Sequence, residues 1–255
     1  MKNLYFKFPA TFTFLIGVAL WELGVRVFEV PSYIFPTPSA TMIALFTNLA
    51  PVADHAFQTF WTTMLGFALA VVVGLILGAA LGSSPGIYRA LYPLLVGFNS
   101  IPKAAFVPVL VVWFGIGSVP AIITAFLIAF FPIAVNVATG LATLEPELED
   151  VLRALGATRM DILMKVGFPR SMPFFFASLK VAITLAFVGA VVSELTAANK
   201  GIGQLMQTAG GSSRMDLVFA GLVVISAMAM VMYYIMVWIE NHTTQWAHRG
   251  QNSGG

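Results

Sequence analysis

Three long stretches of this chain, His55–Tyr88, Ala104–Leu144 and Leu217–Ile239, contain no Asp, Glu, Lys or Arg. A helix needs about 20 mostly apolar residues to cross a bilayer. Lipid offers no partner to a backbone amide or carbonyl, so runs of this kind must be helical. A membrane β-barrel would need alternating segments of about ten residues, and none is evident. Only 9% of the 255 residues are charged and 59% are hydrophobic, whereas a soluble domain is about a quarter charged. The chain is predicted to be an all-α, polytopic membrane protein, a single transmembrane domain over residues 1–255.

Six spans are expected, at about 9–30, 56–82, 88–114, 119–141, 173–195 and 217–239, with a loop at about 142–172. The first is a retained span, since no small-residue cleavage site follows it. It carries Glu22, Arg26 and Glu29 on one helical face, where they can pair. Pro31–Phe46 is an irregular entry in which Thr37 or Ser39 can cap a short amphipathic helix. Gly74, Gly78 and Gly82 form a small-xxx-small row for close helix packing. Pro93, Pro102 and Pro108 interrupt the third span, with Lys103 near its middle. "FGIGSVP" is a tight turn before the fourth.

The chain has no cysteine, which excludes disulfides and thiolate chemistry. His55, His242 and His248 are scattered, so no metal site is expected. The net charge of +2 reflects basic residues in cytoplasmic loops and not a nucleic-acid partner. Lys2, Lys7, Arg89, Arg153, Arg159, Lys165, Arg170 and Arg249 fall on one side of a six-span arrangement; Lys200 and Arg214 fall on the other. Both termini and the loop at 142–172 are therefore expected in the cytoplasm.

That loop is the charged exception in an apolar chain. Pro146 suits a first helical position, and Glu147, Glu149 and Asp150 suit the positive N-terminal turns. Glu149 precedes Arg153 in the favourable order. Leu144, Leu148, Val151, Leu152 and Leu155 form an apolar stripe, which Gly156 stops as a C′ glycine. Thr158 can cap a second short helix, with Asp161 three residues on, and Gly167 and Pro169 are expected to end it. Two short amphipathic helices bent at a glycine suit either the lipid headgroup layer or a cytoplasmic partner. The acidic start of the polar face, which anionic lipid would repel, favours the partner.

The same residues resemble the cytoplasmic loop of permease subunits of bacterial ABC importers. In that family Glu-Ala-Ala-xxx-Gly is followed nine residues later by Ile-x-Leu-Pro. Here the acidic position falls on Asp150, the alanines on Val151 and Leu152, and the glycine on Gly156; the ending becomes Val166-Gly167-Phe168-Pro169. Gly156 and Pro169 match outright. "ALWELGVR", "IFPTPSAT", "SIPKAAFVPVLVVWFGIG", "FFPIAVNVATGL", "LRALGAT" and "VVSELTAANKGIGQLM" extend the likeness over nearly the whole chain, to the nitrate/sulfonate/taurine-type branch. The resemblance implies a type I ABC importer-like fold in the bacterial inner membrane. It also implies a coupling helix, with Glu149, Asp150, Val151, Leu152, Arg153, Gly156, Ala157 and Pro169 docking an ATPase. The implied partners are two ABC ATPase subunits, a second permease copy, a periplasmic or lipid-anchored binding protein, and membrane lipid. No G-x-x-x-x-G-K-[ST] phosphate loop occurs, so ATP and Mg are expected on the partner and no cofactor on this chain.

For the pathway, Asn99, Lys103, Asn136, Ser193 and Glu194 are polar candidates inside spans, with Ser100, Ser178 and Thr184 behind them. Lys103 can attract an anion such as nitrate or a sulfonate, or pair internally. Lys180 is expected to snorkel to the cytoplasmic surface. Glu194 can pair with Lys200 or shape an external gate. The hydroxyl and amide groups serve equally as interhelical hydrogen bonds. Alternatives to an importer of small anions are an importer of a vitamin or pyrimidine precursor and an ion-coupled secondary transporter. The latter lacks evident inverted repeats.

Overall fold

The computed structural model describes residues 9–142 and 151–244. The described chain is helical and carries no strand. Helix α1 (Pro9–Val27) is followed by a short α2 (Pro38–Thr47), which Thr37 caps by accepting the Ala40 amide at 3.1 Å. The Glu22 carboxylate pairs with Arg26 and accepts the Ser39 amide at 3.0 Å, so it ties α1 to the positive start of α2. Glu29 does not join that face: α1 has already ended, and Glu29 sits at φ 48°.

The centre is built by α3 (Leu49–Ser83), α6 (Ser118–Ala142) and α8 (Phe168–Ala197), with α6 packed along both of the others. Small residues allow the approach. A Cβ built on Gly74, Gly78 or Gly82 would lie 2.7, 2.6 or 2.7 Å from the Cβ of Ile133, Val137 or Leu141. Ala125 nests between Gly66 of α3 and Gly189 of α8, and Ala70, Ala129, Ala182, Ala186 and Ala190 line the same core. Helices in lipid gain no hydrophobic drive from meeting each other, so backbone proximity and dispersion hold them. Large apolar side chains such as Leu20, Ile76, Leu94, Val112 and Val231 point outward, as a bilayer-facing surface requires.

The third span is not one helix. α4 (Pro85–Ser100) and α5 (Val107–Phe114) meet at 75°, joined by a 3₁₀ turn at Lys103–Phe106. Pro93 lies inside α4 without ending it. The break falls at Ile101, extended at φ −75° and ψ 130°, because Pro102 disfavours the helical conformation of the residue before it. Among the described residues, five helices are long and apolar enough to cross a membrane, and six spans result when the bent pair is taken as one.

Toward the C-terminus, α7 (Arg159–Ile162), a π turn (Leu163–Gly167) and α8 run on from one another. Gly167 and Pro169 therefore do not end a helix. Pro169 falls in the first turn of α8, where its missing N–H is tolerated. The short α9 (Ile202–Gly211) and the long α10 (Met215–Thr243) complete the described chain.

Candidate functional site

The loop segment contains Glu149 and Asp150, which lie outside the described residues, as do Leu144, Pro146, Glu147 and Leu148. From Val151 onward its geometry is defined. Residues 151–154 are helical. The Gly156 amide then bonds to the Arg153 carbonyl at 2.9 Å and the Ala157 amide to the Leu152 carbonyl at 3.0 Å. Gly156 sits at φ +87°. This is a Schellman stop, with the expected glycine in the left-handed position. Immediately afterwards, the Asp161 amide donates to Thr158 Oγ1 at 3.1 Å while the Thr158 amide and hydroxyl donate to Asp161 Oδ2. The reciprocal bonds form a capping box. Lys165 closes the turn by pairing with Asp161 at 2.7 Å.

These two stops fix an elbow whose outer surface is apolar. Val151 is 56% exposed, Leu155 78%, Met160 65% and Met164 59%. Leu152 and Ala157 are half-buried, and Ile162 is buried and anchors the elbow. The exposed apolar surface is interleaved with Arg153, Asp161 and Lys165, a mixture that suits a protein partner better than lipid. At the start of α8, Ser171 packs against Gly140 of α6 at 2.9 Å from a built Cβ, so the elbow is fastened to the core.

The pathway candidates divide into two groups. Asn99 and Lys103 meet at the break in the third span, where the Lys103 ammonium donates to the Asn99 carbonyl and, at 2.7 Å, to Asn99 Oδ1. The ammonium thereby caps the negative C-terminal end of α4. Asn99 is exposed and Lys103 half-exposed. Broken backbone at membrane depth must face protein or water. Asn136, half-buried in α6, donates to the Pro132 carbonyl at 2.8 Å. Ser193 and Glu194 are buried, only 1% and 2% exposed.

Two ion pairs differ from expectation. Lys180, expected to reach the cytoplasmic surface alone, pairs with Glu240 of α10 at 2.6 Å. Lys200 pairs with Asp54 at 2.7 Å and not with Glu194. Glu194 instead accepts Thr59 Oγ1 at 2.8 Å, Thr62 Oγ1 at 3.4 Å and the Gly203 amide at 3.1 Å. The sequence singles out neither Asp54, Thr59 nor Thr62, and shows His55 only as a scattered histidine. Its available signal was polar residues at 55, 59 and 62, spaced i, i+4 and i+7, on one face of an apolar helix. Among the described residues no group of three His, Asp or Glu side chains can hold a metal ion.

The described chain is an all-helical apolar bundle with a broken span and an exposed elbow, the architecture of a polytopic membrane protein. The family model for the binding-protein-dependent transport system inner membrane component matches residues 70–245, and the chain belongs to that family. It is thus the permease component of an ABC importer, a multi-pass subunit of the inner membrane. Among its relatives, the "Probable ABC transporter permease protein" of Haemophilus influenzae is 32% identical, over 88% of this chain and 93% of that protein. The formylaminopyrimidine transport permease protein ThiX of Halalkalibacterium halodurans is 29% identical, over 96% of this chain and 98% of that one. The taurine transport system permease protein TauC of Escherichia coli is 26% identical, over 92% and 88%. In fold, the chain is similar to a chain of the MetNI methionine ABC transporter in an inward-facing conformation. The TM-score is 0.69 at 22% identity, over 78% of this chain and 98% of that one.

Proposed function

We propose that this chain forms the translocation pathway of an ATP-driven importer for a small anionic solute of the nitrate, sulfonate or taurine kind. Two copies pair around the pathway, two ATPase subunits dock on the cytoplasmic elbow, and a binding protein delivers the solute on the other face. ATP and Mg are bound and turned over by the ATPase subunits. The observation that carries this reading is the elbow at Val151–Lys165, whose exposed apolar surface is held rigid by a Schellman stop and a capping box. Glu149, Asp150, Val151, Leu152, Arg153, Gly156, Ala157 and Pro169 are the docking residues in this reading. The anionic solute is supported by Lys103 and Asn99 at the break of the third span.

A second substrate class, a pyrimidine or vitamin precursor, is favoured by the similarity to the formylaminopyrimidine permease over nearly the full length of both chains. Uptake of labelled taurine or nitrate, with formylaminopyrimidine as competitor, separates the two. The docking reading is tested by Gly156→Pro. Proline cannot take φ +87°, so the elbow is lost while the spans are untouched. The ATPase should no longer co-purify, although the permease yield persists. Undiminished recovery of the ATPase with intact transport would refute the assignment.

A further inference from the structure

Beyond the docking elbow and the broken span, one constellation is left unused by the proposed function. It lies at the C-terminal end of α8, opposite the end that carries the elbow. Glu194 is 2% exposed there, with Thr59 and Thr62 fully buried beside it. Its carboxylate collects the Thr59 and Thr62 hydroxyls of α3 and the Gly203 amide in the first turn of α9. Thr59 Oγ1 in turn accepts the Ile202 amide at 2.8 Å. His55 Nδ1 lies 2.8 Å from the Gly201 carbonyl oxygen and 3.1 Å from its nitrogen, and Asp54 holds Lys200. One turn-by-turn stripe of α3 therefore grips the whole connection from α8 to α9.

The glycines are cut to this carboxylate. A Cβ on Gly201 would overlap the Glu194 carboxylate itself, and Gly201 sits at φ +133°, which side chains rarely adopt. A Cβ on Gly203 would lie 2.7 Å from Glu194 Cβ. No ion pair to Glu194 is formed among the described residues, since Lys200 is engaged by Asp54. An apolar side chain there would leave the buried Gly203 amide without its acceptor and send the Thr59 and Thr62 hydroxyls back to carbonyls of their own helix. What the acid adds is direction: two oxygens converging on donors from two different helices fix the angle at which α9 leaves α8 and lies on α3. The apolar contacts of α9 run through Ile202, Met206 and Ala209, which pack with Val52, Leu217 and Ala220.

We propose that Glu194 is a positioning residue of the transport cycle, a latch that holds α9 against α3 and so keeps the outer end of the bundle closed while ATP is used. The outer placement of α9 rests on the topology proposed above; the latch itself does not. Closure by hydrogen bonds to neutral donors is directional yet releasable, which an apolar plug is not.

The test uses the whole importer with its ATPase and binding protein. Gln207 on the exposed side of α9 is changed to cysteine in this cysteine-free chain, and its labelling by an impermeant maleimide is followed in cells and in inverted vesicles. Glu194→Leu should assemble, label about tenfold faster at Gln207→Cys, and lower uptake per ATP hydrolysed by about tenfold. Glu194→Gln, which keeps one acceptor oxygen, should restore part of both. Should Glu194→Leu fail to assemble, Thr59→Val removes at nearly constant shape both the hydroxyl donor to Glu194 and the acceptor of the Ile202 amide, and should shift both readouts in the same direction. Unchanged labelling and unchanged coupling in an assembled Glu194→Leu or Thr59→Val importer would overturn the latch. Labelling of Gln207→Cys only in inverted vesicles would place α9 on the cytoplasmic side and overturn closure of the outer end.

Discussion

A lysine at the centre of a membrane helix costs about 2.5–3.5 kcal/mol on insertion scales, so it stays only where something meets it. Lys103 is met by the Asn99 carbonyl and side chain at the end of α4, on the exposed face of the broken span. Lys103→Met should lower uptake of the anionic solute by about tenfold with basal ATPase activity and assembly near normal. Lys103→Arg should retain part of it, since charge is kept while shape changes. Wild-type uptake by the methionine variant, normalised to assembled importer, would remove the residue from the pathway. Lys180 and Glu240 are a different case, because each is mostly buried and each satisfies the other. Either Lys180→Met or Glu240→Leu alone strands one charge and should lower stability by about 3 kcal/mol, read as a fall in the thermal midpoint in detergent. The exchange Lys180→Glu with Glu240→Lys should recover much of the loss; failure to recover would mean that the pair is not the source of the effect.

Among elements, local chemistry was legible and long-range pairing was not. The stop at Gly156, the Thr158–Asp161 box and the Thr37 cap follow rules that act within four residues; the first two appear where the sequence places them, and the structure chooses Thr37 over Ser39 for the third. The glycine row of α3 was legible for a similar reason, since a bare helix face at every fourth residue can only invite another backbone. Gly78→Val should test it: the added methyls meet Val137 and the Ala134 carbonyl. A loss of about 1–3 kcal/mol in unfolding free energy is expected, measured by denaturant titration in mixed micelles. By contrast, the partners of Lys180 lie 60 positions away and those of Lys200 lie 146 away. A charge pattern in one helix says that a partner is needed and not which helix supplies it. The π turn that fuses α7 to α8 was hidden too, because Gly167 and Pro169 together read as a terminator. Pro169 itself falls just after that turn, at the start of α8, where a helix tolerates the missing N–H.

For the whole molecule, the family follows from the order of motifs, while orientation rests on the bias of Lys and Arg toward one side. Absence of native cysteine makes that orientation directly measurable. Ser212→Cys should react with an impermeant thiol reagent added outside intact cells, and Thr158→Cys should react only after the membrane is opened. The opposite pattern would place the elbow outside, where no ATPase can reach it.

Elbow and latch stand at opposite ends of a single piece of secondary structure. α8 has 30 residues, a rod of about 45 Å at the usual helical rise. A tilt of about 5° about one end displaces the other by about 4 Å, enough to break a hydrogen bond of ordinary length. The two ends therefore need no chain of intermediate contacts to sense each other. A small rotation at the elbow end would thus become an ångström-scale shift at the Glu194 end. Ala182, Ala186, Gly189 and Ala190 pack that rod into the core along its length.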